Sequence, residues 1–359
     1  MGADFEIVIV GGGIAGASVG AELASAGRKV VILETEEQCG LHSTGRSAAF
    51  YLESYGGPGV APLTVASEEF LSAGGFLRRR GAIHLAQGEW PEVPEGVESR
   101  RLDLSQLEGL VPGLRPQWDH GLFEPGCADI DVAGLHSAYL RKFRRSGGQI
   151  RTDGGLSSAR RSGDGWLVEL ADGTGLSTAV IVNAAGAWAD EVALAAGVKP
   201  LGIAPKRRTM LQLRVGRSGL GDLPLVDDPP AATFYFKGEG DNRVWLSPHD
   251  EIDTEPCDAA PDEIDVALAI ERFREVVDWP LEAVERKWAG LRSFAPDRVP
   301  VYGFDPNVPG FFWCAGQGGF GIQTAPAAAR LAAAELLGQG PDPTVAHIDP
   351  APYSPARFR

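Results

Sequence analysis

Cysteine is scarce in this chain, and basic charge is outweighed by acidic. Its 359 residues hold four cysteines, Cys39, Cys127, Cys257 and Cys314, far apart, with no CxxC pair. Such spacing argues against a disulfide framework and a zinc site, and leaves reduced thiols of the kind found in the cytoplasm as the expectation. The six histidines (His42, His84, His120, His136, His249 and His347) also lack ligand spacing, so no metal is expected. Lys and Arg number 33 against 48 Asp and Glu, a net charge of −15. That balance is the wrong sign for a phosphate-binding surface and excludes nucleic acid as a partner. No window approaches the ~20 apolar residues of a spanning helix. The start of the chain, with Asp4, Glu6 and the short apolar stretch Ile7 to Val10, does not read as a signal peptide. A cytoplasmic protein without an integral membrane segment is the expectation.

Glycine, by contrast, is abundant, with 47 residues, and the length suits two closely joined domains. Phe5 to Val10 is a β-branched run of the kind that forms a buried parallel strand. It runs into Gly11-Gly12-Gly13-Ile14-Ala15-Gly16, then an alanine-rich helical stretch to Ala26, with Gly27 as its stop. A second strand, Lys29 to Leu33, ends at Glu34. In this order the parts form a dinucleotide site. Gly11 permits the turn, Gly13 the approach of a pyrophosphate, and Gly16 close packing of helix on strand. The helix N-terminus faces the phosphates, and Glu34 accepts hydrogen bonds from a ribose diol. An acid there disfavours a 2′-phosphate, which leaves FAD or NAD.

Later segments favour FAD. Gly40 to Ala49 reads GLHSTGRSAA, a loop able to lay amides and hydroxyls along an extended cofactor. Ala179 to Trp188 reads as a buried strand that ends in small residues. Gly310 to Gly316 is strand-like again and leads through GQGGFGIQT into an alanine-rich helix predicted over Ala325 to Leu337. A second helix N-terminus there would stabilise the anionic side of a reduced flavin.

Taken together, VGGGIAGAS, HSTGRSAA, ADID at Ala128 to Asp131, VNAAGAW, PKRR at Pro205 to Arg208, WAGLRSF at Trp288 to Phe294 and GQGGFGIQT resemble the D-amino-acid oxidase superfamily of flavoenzymes. The likeness covers nearly the whole chain and looks closest to bacterial D-arginine dehydrogenases. It implies an α/β fold: a Rossmann-type FAD-binding domain of the glutathione-reductase kind, with an inserted α+β substrate domain on an antiparallel sheet. The FAD domain would take residues 1–50, 140–200 and 290–359, and the substrate domain 51–139 and 201–289. The implied contacts to a non-covalent FAD run through Gly11, Gly13, Ile14, Ala15, Gly16 and Glu34, and then His42, Ser43, Thr44, Gly45, Arg46, Ser47, Ala48 and Ala49. They continue at Leu156, Ala185, Gly186, Trp188 and Gly290, and close with Gly318, Gly319, Phe320, Gly321, Ile322, Gln323 and Thr324.

The implied activity is oxidation of the Cα–N bond of an amino acid by hydride transfer to flavin N5, giving an imino acid that hydrolyses to a 2-oxo acid and ammonia. Arg292 is the expected carboxylate clamp, since a guanidinium among small and apolar residues needs an anion; a salt bridge to Asp297 is the plainer alternative. The resemblance adds Tyr235, Tyr55 and Arg208 to the pocket and gives the Gly319 carbonyl the substrate amine. Tyr235 could equally be a core residue and Arg208 a surface charge. Two departures matter: Phe50 stands where the D-arginine enzymes carry histidine, and Ala82 where they carry an acid. With Leu52 nearby, a more apolar pocket is expected. A secondary amine or a 2-hydroxy acid as substrate, oxygen, a quinone or a dye-like carrier as electron acceptor, and a non-catalytic flavin protein all stay open.

Overall fold

A computed structural model describes residues 3–229 and 231–358. The β-branched run Phe5–Val10 is the heart of an eight-stranded sheet. It lies parallel to Val30–Leu33 on one side and to Gly175–Asn183 on the other. Gln149–Arg151 extends the sheet beyond Val30–Leu33, and Phe311–Ala315 pairs in parallel with Gly175–Asn183. An antiparallel hairpin, Leu156–Ser162 with Gly165–Leu170, completes that edge.

Helix Ile14–Ser25 follows the glycine turn and packs on this sheet so closely that a methyl group at Gly20 would press on Ile9, Ile32 and Phe143. Helices Val132–Arg145 and Gly321–Leu337 pack beside it in one apolar core. Ala61–Ala73, within the 51–139 stretch, packs on Gly321–Leu337.

The second sheet has ten strands. From Gln317–Gly318 it runs through Leu281–Phe294, Ala204–Val215, Arg243–Ser247, Tyr235–Gly238, Leu225–Asp227, Ala82–Ala86 and His120–Glu124 to Arg100–Asp103, with Ile252–Asp253 attached to Ala204–Val215. Its pairs are antiparallel except Leu225–Asp227 with Ala82–Ala86. Helix Glu263–Val276 seats Phe273 against Phe236 and Trp279, which gives this sheet a core of its own. The fold is therefore α/β, a Rossmann-type sheet joined to an α+β unit built on a largely antiparallel one.

Two predicted element ends shift. The strand expected to reach Trp188 stops at Asn183, whose side chain bonds the Ala189 carbonyl at 2.7 Å and the Ala185 amide at 3.3 Å; a short 3₁₀ turn, Gly186–Trp188, follows with Gly186 at φ +57°. The last helix begins at Gly321, four residues before Ala325, so the glycine turn runs directly into it. Before that helix the chain passes from Phe311–Ala315 in the first sheet to Gln317–Gly318, which pairs with Ser293 and Phe294 in the second.

Candidate active site

Between the two sheets lies a cavity of about 690 Å³. One arm follows the dinucleotide turn: Gly11, Gly13, Ile14, Ala15 and Glu34 form its wall. Gly11 sits at φ +105°, and a methyl group there would run into the carbonyl of Ala184. One at Gly16 would overlap the Gly11 carbonyl, so Gly16 acts behind the wall by letting the helix close on the strand. Glu34 is held in place by the amides of Gly12 at 2.9 Å and Glu36 at 3.1 Å. Beneath the turn His136, whose pKa burial lowers, donates from Nε2 to the Gly12 carbonyl at 2.9 Å.

The 40–49 loop spans the cavity. Thr44 Oγ1 accepts from the Ile14 amide at 3.0 Å, while Ser43 Oγ donates to the Leu291 carbonyl at 2.6 Å on the opposite sheet. Arg46 donates to the carbonyls of Ala259 and Ala289 and pairs with Asp258, and Trp288 Nε1 donates to the Arg46 carbonyl at 3.0 Å. His42 bonds Glu36 at 2.8 Å and lies 4.8 Å from the Trp188 ring. Ser47, Ala48 and Ala49, with Leu156, Ala185, Gly186 and Gly290, continue the wall, whereas Gly45 turns back onto the Gly40 carbonyl.

At the other arm two arginines converge. Arg208 pairs across the sheet with Gly290, two residues from Arg292, which puts both on one face. Arg292 donates to the Tyr55 hydroxyl and to Glu251 at 3.1 Å. The alternative partner expected from the sequence, Asp297, is engaged by Arg357 at 2.7 Å instead. Glu251 also holds Arg298 at 3.0 Å and lies 3.5 Å from Arg208. Arg208 is buried and donates to the Asp250 carbonyl at 2.6 Å; burial, then the Arg292 charge, lowers its pKa. Tyr235 stands over it, ring to guanidinium 5.7 Å, with its hydroxyl 3.0 Å from Met210 Sδ. Any side chain at Gly319 would overlap the Arg292 guanidinium. Phe320, Gln323 and Thr324 stand outside the wall: Phe320 packs edge-on to Tyr55, and Gln323 bonds the Leu52 amide and the Tyr55 carbonyl, fixing the segment that carries both. Thr324 caps back onto Phe320.

Of the wall and clamp residues that sequence reasoning did not single out, four bear on the pocket's polarity. His249, at φ +57°, lies edge-on to Tyr235 at 5.6 Å. Burial, then the charges of Arg208, Arg292 and Arg272, pushes its pKa down to about 3, so it is neutral. Met210 reaches the site on strand Ala204–Val215 and Glu251 from the segment just before Ile252–Asp253, and no spacing announces them. Asp227 is the fourth. It lines the cavity, Oδ1 lies 2.6 Å from His84 Nδ1, and His84 Nε2 lies 3.3 Å from Glu124. Ala82 sits one layer behind, fully buried with Leu52, Cys127 and Leu225, against which Phe50 packs.

Burial opposes the charge on His84, but Asp227 and Glu124 outweigh it and push its pKa up to about 10. A folded pKa above the unfolded value, ~6.5, stabilises the fold fully below about pH 6.5 and loses that effect as pH rises toward 10. Replacing His84 by Gln is therefore expected to flatten the decline of Tm between pH 7 and 10. A slope identical to wild type would show that His84 is neutral in the fold.

A family model described as FAD-dependent oxidoreductase, DAO, matches residues 6–335. The chain belongs to this family of FAD-dependent oxidoreductases. A glycine oxidase of Pseudomonas aeruginosa is 26% identical over 381 residues, covering 98% of each chain. The structure of a glycine oxidase from Geobacillus kaustophilus superposes with a TM-score of 0.83 at 21% identity, covering both chains completely. An L-proline dehydrogenase from P. horikoshii gives 0.83 at 20%, covering 100% and 98%. The superfamily expected from the motifs is thus found; the D-arginine dehydrogenase branch is not what these relatives are named for.

The family's FAD fits this wall. The N-terminus of Ile14–Ser25 has glycine, Gly13, at the cap position; Thr44 takes the Ile14 amide, and the positive end of the helix lies at the cavity wall. The N-terminus of Gly321–Leu337, without a side-chain cap, brings a second positive end beside Gly318 and Gly319. Among the described residues no cluster of metal-ligand type occurs, and no helix is long and apolar enough to cross a membrane.

Proposed function

We propose that the chain oxidises the Cα–N bond of an amino acid in the manner of a D-amino-acid dehydrogenase. The observation that carries this reading is the convergence of Arg292, Arg208, Tyr55 and Tyr235 beside the Gly318-Gly319 turn. FAD, which the 11–16 turn, the 40–49 loop and Gly318-Gly319 would hold, would supply the hydride acceptor for Cα. The protein's part is placement. Arg292 holds the substrate carboxylate through paired N–H groups, with Arg208 and the two tyrosine hydroxyls around it. The Gly319 carbonyl accepts from the amine and fixes its orientation; hydride release requires the neutral amine, which the nearby positive charges of Arg292 and Arg208 favour. Gly319 must stay glycine for the guanidinium to lie against it. His249, neutral, adds no further charge to the clamp. The imino acid leaves to hydrolyse in water to a 2-oxo acid and ammonia. We take FAD to be held without a covalent bond, and 1–50, 140–200 and 290–359 to be the domain that holds it.

The glycine oxidase relative favours a second reading, oxidation of glycine or a secondary amine on the same clamp. Anaerobic mixing of FAD-loaded protein with D- and L-amino acids, glycine, N-methylglycine and 2-hydroxy acids separates them. Loss of the flavin's visible absorbance with D-amino acids is expected. Bleaching by N-methylglycine alone would support the second reading, and bleaching by 2-hydroxy acids alone would defeat both. Reoxidation by air against reoxidation by quinones then identifies the electron acceptor.

A further inference from the structure

The two tyrosines of the clamp are polarised in opposite senses. A phenol has one proton to give and lone pairs to receive with. Arg292 donates to the Tyr55 hydroxyl, so the Tyr55 oxygen accepts there, and no other hydrogen bond among the described residues claims its proton. Tyr235 is the reverse. Its hydroxyl lies 3.0 Å from Met210 Sδ, and a thioether sulfur can only accept, so the phenol proton is committed to Met210. Arg208, packed against the Tyr235 ring, can only donate and offers that proton no alternative. His249 meets the ring edge-on, and among the described residues no hydrogen bond joins the two. Towards the cavity Tyr235 therefore presents lone pairs and no proton.

Met210 is placed for this task. It lines the cavity two residues along the strand from Arg208, and it is 3% exposed, so little water competes for the phenol proton. Leucine would fill a similar volume there but accept nothing, and the proton would turn to the cavity.

We propose that, of the two tyrosines around the carboxylate, Tyr55 donates to it while Tyr235 accepts from the substrate's amine, with Met210 as the positioning residue that holds the Tyr235 proton away. This rests on the amino-acid reading above and divides the clamp within it. A carboxylate at the Tyr235 oxygen would set lone pair against lone pair unless Met210 gave up the proton. An amine, one carbon from the carboxylate that Arg292 holds, has N–H groups to offer instead. The same polarity selects at the second carbon. An amine there can donate to Tyr235, whereas the carbonyl of a 2-oxo acid cannot, so the hydrolysed product is not drawn back.

The test uses FAD-loaded protein and an isosteric pair, 2-aminoisobutyrate and pivalate, in which a methyl group replaces the amine. Neither has a hydrogen on Cα, so neither can release hydride, and binding is read from the shift of the flavin spectrum. Tyr235→Phe is expected to raise the Kd of 2-aminoisobutyrate ~10-fold and that of pivalate by less than about twofold. Met210→Leu, which keeps Tyr235, should leave the opposite mark: the freed proton reaches the carboxylate, and pivalate binds ~5-fold more tightly than to wild type. A gain in affinity is not what loss of packing produces, and Met210→Leu decides alone should Tyr235→Phe fail to retain FAD. Equal losses for the two ligands in Tyr235→Phe, no loss for either, neither ligand binding to wild type, or pivalate no tighter in Met210→Leu would overturn the assignment. Should no amino acid bleach the flavin while Tyr235→Phe still separates the pair, the oxidation reading falls and the amine contact stands. Bleaching together with equal losses keeps the oxidation reading and removes this one.

Discussion

Replacing Arg292 by alanine is expected to lower kcat/KM for an amino acid by about 10³-fold while FAD content stays at the wild-type level. Two hydrogen bonds from a guanidinium to a carboxylate contribute ~1.5 to 3 kcal/mol each, and every ~1.4 kcal/mol is a factor of ten. The loss stays local because Glu251 keeps Arg298 and Arg208 nearby, so removing Arg292 does not strand a buried anion. Arg292→Lys should recover only part of the loss, since an ammonium is a point charge where the site offers room for a planar fork. Steady-state kinetics with an amino acid and with its decarboxylated amine give the check. A deficit that is as large for the amine would mean that Arg292 supports the fold and not the carboxylate.

The second large effect is expected at the dinucleotide turn. Gly11→Ala forces an L side chain to φ +105° and drives its methyl into the Ala184 carbonyl on the neighbouring strand. Strain and overlap together cost roughly 3 kcal/mol, which in a domain of this size lowers Tm by about 6 °C or more. The same displacement moves the amides that would face the pyrophosphate, so the variant is expected to elute from gel filtration without its yellow colour. Gly27→Ala is the control. It too has positive φ, +80°, but its methyl meets nothing within 4 Å, so a smaller fall in Tm and full FAD retention are expected. Full retention in Gly11→Ala would remove the turn from the binding site.

The strand, turn, helix and acid of the first 34 residues were legible because each carries a local signature: a continuous β-branched run, obligatory glycines and a Glu at the strand end. Arg292 was legible for a different reason, a lone cation among apolar neighbours. The acids were not. Glu251 meets Arg292 from 41 positions away, and Asp227 meets His84 from 143. The second comes from strand register in the second sheet and the first from the segment just before Ile252–Asp253, which that sheet carries beside Arg207 and Arg208; short-range periodicity encodes neither. Ala82 shows the same limit from the other side. The resemblance puts it at the wall, where the D-arginine enzymes carry an acid, yet strand pairing packs it with Leu52 and Leu225, and Asp227, two residues beyond its partner Leu225, lines the cavity instead.

Glu251 has a bearing on how an anion finds this site. Three arginines share one tethered carboxylate, so their summed field is already partly cancelled where it would leave the protein. The chain as a whole carries −15. A free carboxylate therefore meets repulsion at a distance and attraction only on contact, once it shares the guanidinium groups with Glu251 or displaces it. For a ligand of net negative charge, added salt should then speed encounter; for one of net positive charge it should slow it.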